Sequence, residues 1–297
     1  MDARFDTVSF LSDFGTADEF VGVVKSVIRS LAPGVTVLDI THEVPPYDVR
    51  TGSLTLARSV PYLCPGVVLA VVDPGVGTSR RAVAIEVGGG QSYLVGPDNG
   101  LLAAAVGLVG GATDAVELTN PEYQLAAPGA TFAGRDIFGP AAAHLCNGVP
   151  LRDLGEPVDP HALTPGVIPL SRDEEGTIVG QVFWVDRYGN CQLNIDPEQV
   201  AGWSDRVQLR WTQPRPGVRT ARRARAFDDL ASGEVGLVTD SYGLLTVALA
   251  RGSAAETLGL TTGDEVVLVP LDGDEPEGPD AQGAEGVTTA VTLGRKP

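Results

Sequence analysis

Basic residues are scarce in this sequence of 297 residues. It has 21 Lys and Arg against 38 Asp and Glu, which gives a formal net charge of −17, and Arg222, Arg223 and Arg225 form its only notable basic cluster. A strongly acidic protein is repelled by phosphate groups, so nucleic acids and anionic membrane surfaces are poor partners. No apolar run approaches the roughly 18 residues that would cross a bilayer. The sequence therefore predicts a protein that binds neither nucleic acid nor membrane.

Cysteine and histidine are also rare. The three cysteines lie far apart: Cys64, Cys146 and Cys191. The three histidines are scattered: His42, His144 and His161. Neither pattern is typical of a disulfide framework or a metal cluster, so we expect no metal and no cofactor, and structural roles for the histidines. The first ten residues lack the features of a signal peptide, and we expect a reducing cytoplasm as the location.

Hydrophobic residues make up 43% of the chain and charged residues 20%, as in globular proteins. A length of 297 residues, about twice that of a usual domain, predicts two domains or one large α/β domain with an appendage. The first half alternates β-branched runs with amphipathic helical segments, the pattern of a sheet flanked by helices. After a segment rich in Pro, Asp and Glu, short strands follow one another closely, as in a small β-sheet or barrel. We predict an α/β fold class with an N-terminal α/β sandwich-like domain over 1–165, an all-β barrel-like domain over 166–271 and an acidic flexible tail over 272–297.

The segment VVDPGVGTSRR contains the clearest candidate site. Asp73 follows a predicted buried strand, and open α/β sheets bind ligands at the carboxyl ends of their strands. Gly75 and Gly77 allow a tight loop that could fold Arg80 back onto Asp73. An aspartate that caps a turn and pairs with an exposed arginine explains the spacing equally well. The loop lacks the Lys and Ser or Thr of a phosphate-binding P-loop.

Three further segments place polar residues near predicted strand or helix ends. In FLSDFG, Asp13 has two interpretations. It is a second carboxylate facing the same cleft as Asp73, so that one of the two carboxylates holds a sugar diol and the other a reacting water, or it caps a helix. In TFAGRDIF, Arg135 and Asp136 are either functional or simply paired with each other. VDRYGN, which contains Asp186 and Asn190, is typical of a turn between two strands. From residue chemistry alone, these segments indicate a polar cleft at strand ends.

Seven motifs carry a resemblance to a known family. They occur in this order between about Phe10 and Val269: FLSDFGTADEF, DITHEVPPYDV, VVDPGVGTSRR, GPDNGLL, TFAGRDIFGPAAAHL, VDRYGN and DSYGLLTVAL. Together they resemble the S-adenosylmethionine (SAM) hydroxide adenosyltransferases, relatives of the bacterial fluorinase and chlorinase. The resemblance implies an α/β domain followed by a β-barrel, and a homotrimer with active sites shared between subunits. It also implies attack of water or hydroxide at C5′ of the ribose, which yields adenosine and L-methionine.

The resemblance assigns catalytic roles residue by residue. Members that use water share an Asp, Arg and His set, whereas the halogenases have Tyr in place of the Asp. Asp73 and Arg80 occupy the first two places, so the resemblance favours hydrolysis over halogenation. The third place departs from the family: Ala133 stands where the family has His, in TFAGRD instead of TFHGRD. An engineered change, a natural member of weak activity and a binding protein without turnover each explain Ala133, and in each case turnover is impaired.

Substrate contacts are implied in the same way. Asp13 matches the residue that holds the ribose hydroxyls. The ribose and sulfonium pocket is matched by Tyr47, Thr131, Phe132 and Gly134, the last standing where the fluorinase has a fluoride-holding Ser. Contacts to methionine are matched by Asp186 and Ser241, and contacts to adenine by Asn190 and Phe227. Simple packing is the alternative for Tyr47 and Phe227. The leading hypothesis is a SAM hydrolase; the alternatives are a protein that binds SAM or adenosine without turnover and, less favoured, a halogenase.

Overall fold

The computed structural model describes residues 4–166, 169–213 and 215–271. The chain divides into two compact units, Met1–Ile168 and Pro169–Pro297. The predicted domain boundary, between residues 165 and 166, lies three residues before this division. The predicted acidic tail, 272–297, lies outside the described residues.

A mixed β-sheet forms the centre of the N-terminal unit. Its strands are β1 (Thr7–Ser12), β2 (Thr36–Thr41), β3 (Val67–Val71), β4 (Ala82–Val87), β5 (Ser92–Pro97), β6 (Ala112–Glu117) and β7 (Glu156–Pro157). They lie in the order β2-β1-β3-β5-β4-β6-β7. The neighbours β2, β1, β3 and β5 pair in parallel, and the pairs from β5 to β7 are antiparallel.

Helices cover both faces of this sheet. They are α1 (Phe20–Leu31), α2 (Val49–Ser59), α3 (Ala103–Leu108) and α4 (Gly139–Cys146). Alternate residues of β1 and β3 enter two separate hydrophobic clusters, one shared with α1 and α4 and the other with α2 and α3. Strands buried on both faces read as continuous apolar runs, which is why FLSDFG and VVLAVV are so hydrophobic up to their aspartates. The predicted α/β sandwich is confirmed.

The C-terminal unit is a closed β-barrel. Its elements are β8 (Arg172–Glu174), β9 (Thr177–Val185), β10 (Cys191–Leu193), β11 (Arg206–Trp211), β12 (Gly217–Ala224), β13 (Val235–Thr239), β14 (Leu245–Leu249), α5 (Ala254–Leu258) and β15 (Glu265–Pro270). Hydrogen bonding runs in the order β10-β14-β13-β12-β11-β15-β9, and β9 also pairs with β10, which closes the ring; β8 is added beside β9. The predicted barrel is confirmed.

The register of two neighbouring strands determines where the candidate site forms. In the parallel pair β1 and β3, Ser12 lies opposite Val71. Asp13 and Asp73 follow these strand ends by one and two residues, so both lie at the carboxyl edge of the sheet.

No helix within the described residues is long and apolar enough to span a bilayer.

Candidate active site

A cavity of about 210 Å³ lies at the carboxyl ends of β1 and β3. The structure brings together here seven of the residues singled out from the sequence: Asp13, Tyr47, Asp73, Thr131, Phe132, Ala133 and Gly134. Five further lining residues were not predicted: Phe14, Phe20, Pro46, Val71 and Val76. Since four separate segments of the chain converge on this volume, it is the candidate active site of the N-terminal unit.

Asp73 and Arg80 form a two-pronged ion pair at this cavity. Arg80 Nε donates to Asp73 Oδ1 at 3.0 Å, and Arg80 Nη2 donates to Asp73 Oδ2. The side chains are only 6% and 12% exposed, respectively. Arg80 Nη1 also donates to the main-chain oxygen of Arg81, and the guanidinium lies 5.4 Å from the centre of the Phe138 ring. The pair predicted from the spacing is therefore present, and the Arg80 side chain is largely shielded from solvent instead of exposed.

The loop between these two residues is built by turns. Val76 N donates to the main-chain oxygen of Asp73, and the Thr78 side chain bonds the main-chain oxygen of Gly75. Gly77 has φ +76°, and a Cβ there would lie 2.9 Å from the main-chain oxygen of Ala130. Only glycine fits this close approach to the TFAGRD segment without a shift of the backbone. The loop thereby returns Arg80 to Asp73.

Asp13 has fewer partners than Asp73. Its Oδ2 accepts a hydrogen bond from the main-chain N–H of Tyr47 at 2.9 Å. Tyr47 adopts φ +68°, and its side chain points outward, 73% exposed for the whole residue. Burial raises the pKa of Asp13, the negative charge of Asp73 adds to this, and the N–H of Tyr47 opposes it. The site therefore holds a carboxylate with capacity for further hydrogen-bond donors.

The TFAGRD segment forms the opposite wall. Ala133, 8% exposed, precedes a π-helical turn, Gly134–Phe138, that leads into α4. Such turns occur often at functional sites because they redirect side chains within a helix. Arg135 donates two hydrogen bonds to the buried Asp136. Of the two interpretations of these residues, the structure therefore favours the one in which they simply pair with each other. A methyl group at position 133 can neither accept a proton nor orient a water.

Three phenyl rings close one side of the cavity. The ring centres of Phe14, Phe20 and Phe132 lie 5.0 to 5.9 Å apart. Aromatic faces attract cations, and a sulfonium is a cation. A Cβ on Gly134 would approach Phe14 to 3.0 Å and Phe132 to 3.3 Å, so glycine lets the helix turn pack against these rings. Phe14 could have been predicted from its place beside Asp13; Phe20 reads only as an apolar residue of α1.

The C-terminal unit has a separate cavity of about 870 Å³. Asn190 and Phe227, the two residues matched to adenine contacts, both line it; Phe227 is 50% exposed. The Asp186 carboxylate accepts from the main-chain N–H of Tyr188 and from the main-chain and side-chain N–H groups of Asn190. Asp186 thus builds the predicted turn and orients Asn190, and it does not itself line the cavity.

Ser241 lies in an exposed turn after β13 and does not line that cavity. The side chain of the preceding residue, Asp240, accepts hydrogen bonds from the main-chain N–H groups of Tyr242 and Leu244.

Within the part of the chain that the structure describes, no group of three or more His, Cys, Asp or Glu side chains is placed to hold a metal ion.

The fold and the site define a class: a two-domain protein with an α/β sandwich, a β-barrel and a carboxylate-bearing cavity at strand ends. The chain matches the N-terminal domain model of the SAM hydroxide adenosyltransferases over residues 8–155 and the C-terminal domain model over 180–267. It belongs to the SAM hydroxide adenosyltransferase family.

Individual relatives agree with this assignment. A protein of Salinispora arenicola named (R)-S-adenosyl-L-methionine hydrolase is 46% identical over 87% of this chain and 96% of its own length. A fluorinase of an Actinoplanes species is 29% identical over 68% of this chain and 76% of its own. The crystal structure of an uncharacterized conserved protein from Thermotoga maritima superposes with a TM-score of 0.81 at 35% identity, covering 88% of this chain and 99% of that one.

Proposed function

We propose that this protein hydrolyses S-adenosyl-L-methionine to adenosine and L-methionine. The observation that carries the proposal is the largely shielded Asp73–Arg80 pair at the cavity formed by the strand ends. The name of the Salinispora relative supports the substrate and the reaction class. SAM and water are the reactants, and adenosine, methionine and one proton are the products.

The reaction is a displacement at C5′ of the ribose. A water oxygen forms a bond to C5′ while the C5′–sulfur bond breaks, and the bonding pair moves to sulfur. Because a sulfonium leaves as a neutral thioether, the leaving group needs no proton. The protein has only to orient the water, remove its other hydrogen-bond partners and favour its hydroxide form.

Asp73 and Arg80 perform these tasks in our proposal. The Asp73 carboxylate accepts a hydrogen bond from the attacking water or hydroxide, whereas a halide has no hydrogen to donate and meets only the negative charge. The cationic guanidinium of Arg80 holds the carboxylate by two bonds and favours hydroxide over water. Ala133 leaves the third place of the family's set without a base, so we propose a weakened enzyme; loss of one general acid or base costs about two to four orders of magnitude in rate.

The remaining residues bind the substrate. We assign the ribose hydroxyls to Asp13, the ribose and sulfonium to the walls formed by Tyr47, Thr131, Phe132 and Gly134, and adenine to Asn190 and Phe227. Methionine recognition by Asp186 and Ser241 rests on the family resemblance. A homotrimer with active sites shared between subunits belongs to the same proposal, and light scattering tests it. A cytoplasmic location is also part of the proposal, in keeping with the three unpaired cysteines in the described chain.

A second candidate function is binding of SAM or adenosine without turnover, and Ala133 is the observation that favours it. The test is a long incubation of the purified protein with SAM in ¹⁸O-labelled water containing chloride, followed by chromatography and mass spectrometry. The hydrolase yields adenosine labelled at the 5′ oxygen. A 5′-halogenated nucleoside would instead indicate a halogenase, and calorimetric binding without product would indicate a binding protein. An Asp73→Asn preparation, purified in parallel, controls for contaminating hydrolases.

A further inference from the structure

A chain of hydrogen-bonded polar side chains begins at Ser12, the residue before Asp13. The Oγ atom of Ser12 lies 2.8 Å from Nδ1 of His42, and Nε2 of His42 lies 3.0 Å from Oδ1 of Asp39. Lys25 Nζ lies 2.5 Å from the other oxygen of Asp39. Ser12 is fully buried and His42 is 5% exposed. The order serine, histidine, aspartate resembles a nucleophilic triad, but a fully buried hydroxyl cannot reach a substrate.

The proton positions in this chain follow from Asp39. Burial opposes ionisation of Asp39, but hydrogen bonds from Lys25 and His42 outweigh it and lower its pKa. An ionised carboxylate only accepts, so Nε2 of His42 donates to Asp39, and Nδ1 of the same ring is hydrogen-bonded to the Ser12 hydroxyl. The Ser12 oxygen in turn accepts from the main-chain N–H of Phe14 at 3.3 Å. The chain thus runs from Asp39, whose side chain is 42% exposed, to the buried Ser12, and each of these side chains has a hydrogen-bond partner.

His42 also holds the far end of the same turn. Its main-chain oxygen accepts from the N–H of Gly15 at 2.8 Å, and Gly15 has φ +67°. The ring of His42 packs edge-on against Phe10 with the ring centres 4.7 Å apart. Residues 12 to 15 are therefore bound at both ends by one histidine, with Asp13 and Phe14 between the two attachments.

Asp13 needs this support because its own attachments are few. Apart from the turn, its carboxylate is fixed by the main-chain N–H of Tyr47. A carboxylate accepts from two adjacent hydroxyls only when its position is set to within about half an ångström. We propose that His42 is a positioning residue that sets the Asp13 carboxylate for the two ribose hydroxyls of the nucleoside. This inference rests on the proposed function.

The selectivity of the protein for the 2′-hydroxyl tests this assignment separately from stability. Dissociation constants of adenosine and 2′-deoxyadenosine are measured by calorimetry on the full-length protein, so the slow chemistry does not interfere. We expect the parent protein to bind adenosine at least tenfold more tightly than the deoxy nucleoside. In Ser12→Ala and His42→Phe this ratio falls below threefold, through weaker adenosine binding with deoxyadenosine binding unchanged. His42→Asn, whose amide reaches Ser12, retains most of the ratio.

The controls separate the possible failures. His161→Asn alters an exposed histidine outside the cavity and leaves both constants unchanged. If Ser12→Ala and His42→Phe weaken both nucleosides alike and keep the tenfold ratio, His42 is merely structural and the inference is wrong. If His42→Phe does not fold, Ser12→Ala, which removes one oxygen atom, decides the question. A parent protein that does not distinguish the two nucleosides contradicts the ribose role of Asp13 in the proposed function, and the inference with it.

Discussion

Two aspartates stand at the carboxyl ends of neighbouring strands, yet they have opposite environments. Asp73 is 6% exposed and both of its oxygens accept from Arg80. The Asp13 carboxylate accepts from the main-chain N–H of Tyr47 and has no cationic partner among the described contacts, and burial raises its pKa. Asp73 is thus a compensated charge whose position is fixed before any ligand arrives, whereas Asp13 is a carboxylate that gains donors only when a ligand supplies them.

This difference separates chemistry from binding. A compensated, rigid carboxylate can orient a water in the transition state without contributing to affinity for the substrate. A carboxylate with unused acceptor capacity gains hydrogen bonds in the bound state and so contributes to affinity. We therefore expect changes near Asp73 to alter the maximal rate and changes at Asp13 to alter dissociation constants.

Ala133→His should have the largest effect. The imidazole enters the cavity beside Asp73, supplies a base at the water, and raises the rate of adenosine formation about 100-fold. Because this change acts at the Asp73 end, the dissociation constant of adenosine should stay within threefold of the parent value. Single-turnover kinetics and calorimetry measure the two quantities. Ala126→His, at an exposed position, is the matched control, and a gain below tenfold would end the argument that a histidine is missing.

Asp73→Asn should act in the opposite direction. The amide keeps the shape but loses the charge, so the maximal rate falls at least tenfold while the Michaelis constant for SAM changes little. In the Ala133→His background the same change costs more, about 100-fold, because residues that act together are not additive. Asp114→Asn alters a two-pronged pair with Arg152 that is more exposed and lies away from the cavity, and it controls for the loss of a carboxylate charge from an ion pair. A collapse of substrate binding in Asp73→Asn would place Asp73 among the binding residues instead.

Asp13→Asn should weaken adenosine binding about tenfold, since a charge-assisted hydrogen bond is replaced by a weaker one. The same change should raise Tm by about 2 °C at neutral pH. The sign follows from the raised pKa: the folded state disfavours the ionised carboxylate, so this group's stabilising contribution is present below its unfolded value of 3.8 and is lost as the pH rises through the raised folded value.

Binding in the parent protein should show the same titration. Adenosine affinity should fall on acidification at a pH above that of an ordinary aspartate, and Asp13→Asn should lose this pH dependence. Calorimetry over a pH series and thermal melts measure both effects. Asp18→Asn, an exposed neighbour, is the control and should change neither. A lower Tm in Asp13→Asn would show that the carboxylate stabilises the fold, contrary to its environment.

The sequence allowed the two aspartates to be placed together because parallel buried strands are continuous apolar runs, and their ends lie at one edge. It did not separate the two environments. The spacing predicted Arg80 as a partner of Asp73 but left open whether the pair would be exposed, because that depends on a loop closed by Gly77 against Ala130, a contact between segments more than fifty residues apart. Likewise the segment GVRTARRA does not predict the strand β12, since it buries one residue, Ala221, and lacks an apolar alternation.

Gly134→Ser should produce the smallest effect on ligand binding and tests the wall that both aspartates share. Its Cβ would approach Phe14 and Phe132 more closely than most side-chain contacts allow, so the rings must move by a few tenths of an ångström. We expect Tm to fall by about 3 °C and adenosine affinity to fall about threefold, as overpacking of a well-filled site costs about 1 kcal/mol. The added hydroxyl should yield no 5′-halogenated product in chloride or fluoride, because the Asp73 charge remains. Gly129→Ser, where a Cβ meets nothing within 4 Å, is the matched control. A halogenated product from Gly134→Ser would show that the hydroxyl, and not the charge of Asp73, selects the nucleophile.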